Sequence, residues 1–275
     1  MPPILLIAGP TASGKSALAL RAAEATGGEI VNADALQLYA DLQLLSARPS
    51  AEETARVPHH LFGVADGADG WSVGRWLREA SPILDDIRGR GRTAVVVGGT
   101  GLYFKALTEG LADVPPTPAA VRVGVGKTFD ELGEDRFREL LAMVDPAAAE
   151  RIEAGDRMRL SRAMEVFEAT RRPLSAWQAD TAPALPADAW QAVAIVPERD
   201  LLYARCDQRF GAMITGGALE EVRGLLAREL DPLLPVMKAV GVRELGAHLA
   251  GETSLEAAIE MARQETRRYA KRQLT

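Results

Sequence analysis

Cysteine occurs once in the 275 residues, at Cys206, so no intramolecular disulfide can form and a cysteine-based metal site has too few ligands. Histidine is nearly as scarce, with three in all. Two of them, His59 and His60, are adjacent, and neighbouring side chains seldom converge on one ion without further ligands. No apolar run reaches the roughly 18 residues that a membrane helix needs, so no membrane partner is expected. The N-terminus "MPPILLIAGP" lacks both a basic leading segment and a cleavage site, and the expectation is a cytoplasmic protein. An excess of positive charge is missing too. The 32 basic and 38 acidic residues leave a net charge of −6, which argues against indiscriminate nucleic-acid binding but leaves room for a local basic face.

What is present is a core-forming composition, 47% hydrophobic, enough for one large domain or two smaller ones. The apolar runs alternate with helical patterns. "ILLIA" (4–8) reads as a buried parallel strand that ends at a glycine-rich loop, and "KSALALRAAEAT" as a helix closed by Gly27 and Gly28. "EIVNAD" (29–34) reads as a second strand. "WSVGRWLREASPILDDIRGRG" (71–91) carries a helix capped by Ser72 that Pro82 would kink. "TAVVVGG" (93–99) is a third strand ending in glycines. This alternation predicts an open parallel sheet with helices on both faces and sites at the carboxyl ends of its strands. Near "LADVPPTPAA" (111–120) a proline-rich break opens a stretch that is helical throughout. A second break, "APALPAD" (182–188), precedes "WQAVAIVP", which reads as a strand returning to the sheet. The expected fold is therefore α/β, a phosphate-loop parallel sheet flanked by helices, with core residues 1–112 and 183–275 and an inserted helical domain at 113–182.

The most telling short segment is "GPTASGKS" (9–16). Gly9, Gly14, Lys15 and Ser16 fit G-x-x-x-x-G-K-[ST], in which backbone N–H groups cradle phosphate and the next helix adds its positive end. Lys15 supplies a full charge, and Ser16 is placed to ligate Mg²⁺. An accidental match is expected about once in a hundred chains of this length. A nucleotide hydrolase also needs a carboxylate, usually at the end of a neighbouring strand. "TAVVV" ends instead in Gly98, Gly99 and Thr100, with no acid. "EIVNAD" does end in one, Asp34, which could hold metal through water, remove a proton from an acceptor, or cap the following turn.

Read together, these segments resemble the tRNA dimethylallyltransferases, also called tRNA isopentenyltransferases. The resemblance runs through "GPTASGKS", "NADALQLY" (32–39), "VPHHL" (57–61), "VVVGGTGLYFKAL" (95–107), "RLSRAMEVF" (159–167), "QRF" (208–210), "VGVREL" (240–245) and "TRRYAKRQLT" (266–275). It implies transfer of a dimethylallyl group from dimethylallyl diphosphate to N6 of the adenosine at tRNA position 37, with the phosphate loop as a diphosphate cradle. It also implies Mg²⁺ as cofactor, held through Ser16, and the anticodon stem-loop as partner; a monomer is expected.

The resemblance distributes roles over numbered positions. Gly9, Thr11, Ala12, Ser13, Gly14, Lys15 and Ser16 hold the diphosphate, and Arg209 approaches it. Asp34 is the general base, and Thr100 stands near the reacting adenosine. Asp34, Ala35, Leu36 and Gln37 line the pocket of a flipped-out base, whose edge Gln37 could pair. Arg122, Arg159 and Arg162 of the insertion, with Lys238 and Arg243, contact tRNA. In the last helix Arg263, Arg267 and Lys271 recur every four residues as a basic stripe suited to phosphates. The chain departs from the family pattern at "DLQLLSARPS", where Ser46 and Arg48 replace a threonine and a lysine. Its insertion looks short, and relatives continue beyond the "KRQLT" at which this chain stops. A small-molecule kinase using ATP on the same loop is the main alternative; an RNA-binding protein without chemistry is another.

Overall fold

The computed structural model describes residues 3–274. Its first half alternates as the apolar runs predict: β1 (Ile4–Ala8), α1 (Lys15–Thr26), β2 (Glu29–Asn32), α2 (Ala51–Arg56), β3 (His59–His60), α3 (Val73–Gly89), β4 (Ala94–Gly98) and α4 (Gly101–Thr108). Ser72 caps α3 by accepting the Arg75 N–H at 3.1 Å. The helix runs through Pro82 as a single element.

A separate compact unit, Glu109–Pro183, contains only helices among its described elements: α5 (Ala119–Val144), α6 (Pro146–Arg151), α7 (Arg157–Thr170) and α8 (Leu174–Ala179). Its own core gathers Phe129, Phe137, Leu141, Leu160 and Ala163. Gly133, at φ 71°, breaks α5 into two helical segments.

From Ala184 the chain rejoins the first unit. There follow β5 (Trp190–Ala194), α9 (Arg199–Thr215), α10 (Ala218–Leu226), a 3₁₀ turn (Pro235–Lys238), α11 (Val242–Leu249) and α12 (Leu255–Arg272). The strand expected in "WQAVAIVP" does return: β5 pairs with β1 in parallel, from Ile4 opposite Trp190 to Ala8 opposite Ala194. The sheet order is β3-β2-β4-β1-β5, with every pair parallel. Alternation of side chains sorts the strands between two helical layers. Ile7, Ile30, Val95 and Val97 pack with Ala19, Leu20 and Ala23 of α1. Leu6, Val31 and Val96 turn to the opposite layer, with Trp76, Ala80 and Leu84 of α3. Both faces are covered, so the loops at the carboxyl ends of β1, β2 and β4 are the place for a site.

Candidate active site

β1 delivers the chain into the loop Gly9–Gly14, and α1 starts at Lys15. Gly14 turns at φ 93°, a left-handed conformation that favours glycine, and no side chain caps the helix. Residues 11–17 form one wall of a cavity of about 480 Å³. Two of its amides are already bonded within the protein: Thr11 N–H donates to Gln273 Oε1 at 2.8 Å, and Ser13 N–H to the Pro10 carbonyl at 3.2 Å. The expected cradle of residues 11–16 thus narrows to Ala12, Gly14, Lys15 and Ser16, whose N–H groups have no protein acceptor among the described residues. Gly9 is not among the residues that line the cavity.

The cavity gathers charge, and two of its charged groups, Lys15 and Asp34, are buried. Lys15 is only 7% exposed, and its Nζ donates to the Pro10 carbonyl at 3.2 Å. Burial lowers its pKa; Asp34 pulls it back up and Arg209 lowers it further. Arg209, from α9, donates to Thr11 Oγ1, and burial lowers its pKa as well. Arg205, one helical turn earlier, lines the same cavity. Ser13 Oγ is buried with no hydrogen-bond partner among the described residues. Asp34 is the carboxylate of this wall, 9% exposed. Three cations, one anion and free helix-start amides make a site complementary to a compact polyanion.

Asp34 follows β2, which ends two residues earlier than the "EIVNAD" strand was expected to. Asn32, fully buried, fixes it: Asn32 Oδ1 accepts the Asp34 N–H at 2.8 Å, while Nδ2 donates to the Asp34 and Leu61 carbonyls, both at 2.9 Å. Asp34 Oδ1 accepts the Leu36 N–H at 3.1 Å, so one oxygen caps the turn. The turn cap and the site carboxylate are the same group. Thr100, between β4 and α4, accepts the Ala35 N–H on Oγ1 at 3.0 Å and donates its own N–H to the Ala33 carbonyl at 3.2 Å. It thereby braces the Asp34 turn and is not among the residues that line the cavity. Of the four residues 34–37 only Asp34 and Gln37 reach the wall; Ala35 and Leu36 pack on the core. Gln37 gives both Nε2 hydrogens to the Ser46 and Ala47 carbonyls, each at 2.9 Å, leaving Oε1 as an acceptor. The loop carrying those carbonyls is anchored by Glu221 of α10, which accepts the Gln43, Leu44 and Leu45 N–H groups at 2.5–2.9 Å. Arg48 turns to the Ala40 carbonyl instead.

The expected tRNA residues are spread more widely. Arg122 and Arg159 are exposed on the helical unit, Arg159 beside Asp156 at 3.2 Å. Arg162 donates to Thr117 Oγ1 at 2.6 Å. Lys238 and Arg243 line a second cavity of about 660 Å³, with Arg243 3.0 Å from Glu244. Lys271 is exposed near the end of α12. The basic stripe on that helix is interrupted at its centre, because Arg267 is held by Asp207 at 2.7 Å and Glu260 at 3.2 Å.

Sequence reasoning missed Asn32, Arg205, Glu221 and Gln273. A buried asparagine in an apolar strand and the i, i+4 spacing of Arg205 and Arg209 were readable signals. Glu221 and Gln273 act over 176 and 262 residues of chain, and no local pattern announces them.

Comparison with known proteins gives a consistent result. The model of the IPP transferase family matches residues 37–275, and that of an isopentenyl transferase family matches residues 2–59. A tRNA dimethylallyltransferase of Phenylobacterium zucineum is 68% identical over 274 residues, 100% of this chain and 89% of the relative. One from a Caulobacter species is 59% identical, covering 99% of this chain and 88% of the relative. Among solved structures, the tRNA isopentenylpyrophosphate transferase of Bacillus halodurans has 30% identity and a TM-score of 0.68, covering 100% of this chain and 86% of its own. A eukaryotic dimethylallyltransferase acting on tRNA superposes with a TM-score of 0.87 at 26% identity, covering 100% of this chain and 69% of the other.

Proposed function

The chain belongs to the IPP transferase family and is an enzyme that transfers a dimethylallyl group to tRNA, and we propose that the donor is dimethylallyl diphosphate and the acceptor atom N6 of adenosine 37. The proposed products are N6-dimethylallyladenosine and diphosphate. The observation that carries this reading is one cavity holding buried Lys15, half-buried Arg209, the amides at the start of α1, and Asp34.

Cleavage of the C1–O bond of the donor leaves negative charge on diphosphate, and stabilising that charge is the main electrostatic task. The N–H groups of residues 14–16 and the side chains of Lys15 and Arg209 do this without reorganising, since the fold already holds them in place. Mg²⁺ suits the oxygen donors here: Ser16 Oγ would hold it, and Asp34, which lines the same cavity, would act through water. Bound there, the ion would neutralise charge on the leaving diphosphate.

The exocyclic amine of adenosine is conjugated with its ring and is a weak nucleophile. Its proton must leave as the C–N bond forms. Asp34 accepts that proton on the oxygen that does not cap the turn, while Asn32 and the Thr100–Ala35 bond keep the carboxylate aimed. Gln37 Oε1 is an acceptor on the same wall, suited to an amine N–H of the flipped-out base. The enzyme acts as a cytoplasmic monomer on the anticodon stem-loop. Arg122, Arg159, Arg162, Lys238, Arg243 and Lys271 contribute contacts to phosphates, and Arg267 does so while paired with Asp207.

The test is incubation with Mg²⁺, radiolabelled dimethylallyl diphosphate and unmodified tRNA, with ATP alone as a control. Label should enter the tRNA and vanish when adenosine 37 is replaced by guanosine. Phosphate released from ATP without transfer of label would overturn the reading in favour of a kinase.

A further inference from the structure

α12 ends in a side chain that the chemistry above leaves unused. Gln273 follows the last turn of the helix, and its amide reaches two loops at once. Oε1 accepts the Thr11 N–H at 2.8 Å, and Nε2 donates to the Gly99 carbonyl at 3.1 Å. A Cβ at residue 99 would lie 2.2 Å from Nε2, so the approach of the amide depends on glycine there. Thr11 is thereby held twice, at its N–H by Gln273 and at its hydroxyl by Arg209. Beyond Gly99 comes Thr100, whose Oγ1 takes the Ala35 N–H beside Asp34. A single side chain joins the loop that faces diphosphate to the β4–α4 loop, whose Thr100 braces the turn that seats the base.

We propose that Gln273 is a positioning residue for prenyl transfer, a strut from the end of α12 that sets the separation between the phosphate loop and the Asp34 turn. The proposal rests on the prenyl-transfer reading of the site. Reaction requires donor C1 and acceptor N6 to meet within about 3–3.5 Å, and a misplacement of about 1 Å can lower the rate some 100-fold. Loops at the ends of separate strands do not hold such a distance unaided. The amide of Gln273 is suited to the task because it presents an acceptor to one loop and a donor to the other.

The experiment compares wild type with Gln273→Ala and Gln273→Glu, with Leu274→Ala as control. In ligand-free protein, amide hydrogen exchange in residues 9–16 should quicken in Gln273→Ala, because Thr11 loses its acceptor. Turnover should fall about 10- to 100-fold, given the usual cost of lost alignment. The Kd for tRNA and the melting temperature should stay near wild type, as should every property of Leu274→Ala. Gln273→Glu keeps the acceptor for Thr11 and loses the donor to Gly99. It should therefore exchange like wild type and still turn over more slowly, which keeps the test alive should the alanine variant fail to fold. Wild-type turnover in both variants, or tRNA affinity falling in step with turnover, would overturn the strut. If wild type transfers no label to tRNA, the prenyl-transfer reading fails, and the exchange of residues 9–16 alone decides the strut.

Discussion

The two ends of the same parallel sheet treat buried charge in opposite ways. At the amino end of β2, Glu29 is 2% exposed and surrounded: Arg90 clasps both carboxylate oxygens, Arg92 lies 2.9 Å away and His60 Nε2 2.8 Å away. The Arg90 hydrogen bonds, outweighing the burial that opposes them, bring its pKa down to about 2, with His60 and Arg92 adding to the effect. At the carboxyl end of β1, buried Lys15 and half-buried Arg209 share a single carboxylate, and desolvation lowers both their pKa values. Helix-start amides and the Ser13 hydroxyl there lack protein partners among the described residues. One end has satisfied its charge internally and contributes stability. The other holds charge ready for an anion and gives up stability to do so. That contrast separates a structural ion cluster from a binding site, although sequence alone shows both as charged residues beside apolar strands.

The largest effect expected is at the functional end. Asp34→Asn keeps the shape of the turn and removes the base, so turnover should fall about 10²–10⁴-fold with diphosphate binding largely retained. Measured kcat and donor Kd separate the two; equal loss of both would assign Asp34 to holding the anion site rather than to proton transfer.

At the structural end, Glu29→Gln should lower stability by about 2–3 kcal/mol at neutral pH and leave kcat unchanged. The sign follows from the depressed pKa. Glu29 stabilises the fold fully above its ordinary value of 4.5, and this is lost as pH falls from there to about 2. Urea melts from pH 7 to pH 3 would show the wild type and variant converging as pH drops. A gap that widened on acidification would contradict the assignment of the two ends.

Much of this fold can be read from the chain because its signals are local. Continuous apolar runs mark β1 and β4, glycines mark their ends, and Ser72 announces α3. The phosphate loop is legible as a spacing of four residues, and Asp34 as the one acid near a strand end. β3 escaped, since two histidines carry no strand periodicity and pair only because β2 lies alongside. Arg267 reads as part of a basic stripe, and its pairing with Asp207 is not legible because the two lie 60 residues apart. Nor does the sequence give a sign that the Thr100 hydroxyl accepts the Ala35 amide, 65 residues away. The bracing of the site by Asn32, Glu221 and Gln273 belongs to packing between distant segments, which periodicity does not encode.

The most direct measurement is a thermal melt of wild type and Lys15→Met with and without inorganic diphosphate and Mg²⁺. Charged Lys15 is costly to bury and relieved by an anion. Wild type should therefore melt higher with diphosphate. Lys15→Met should melt no lower than wild type without ligand and gain little from adding it. A wild type unmoved by diphosphate, or a variant stabilised as much as wild type, would contradict the account.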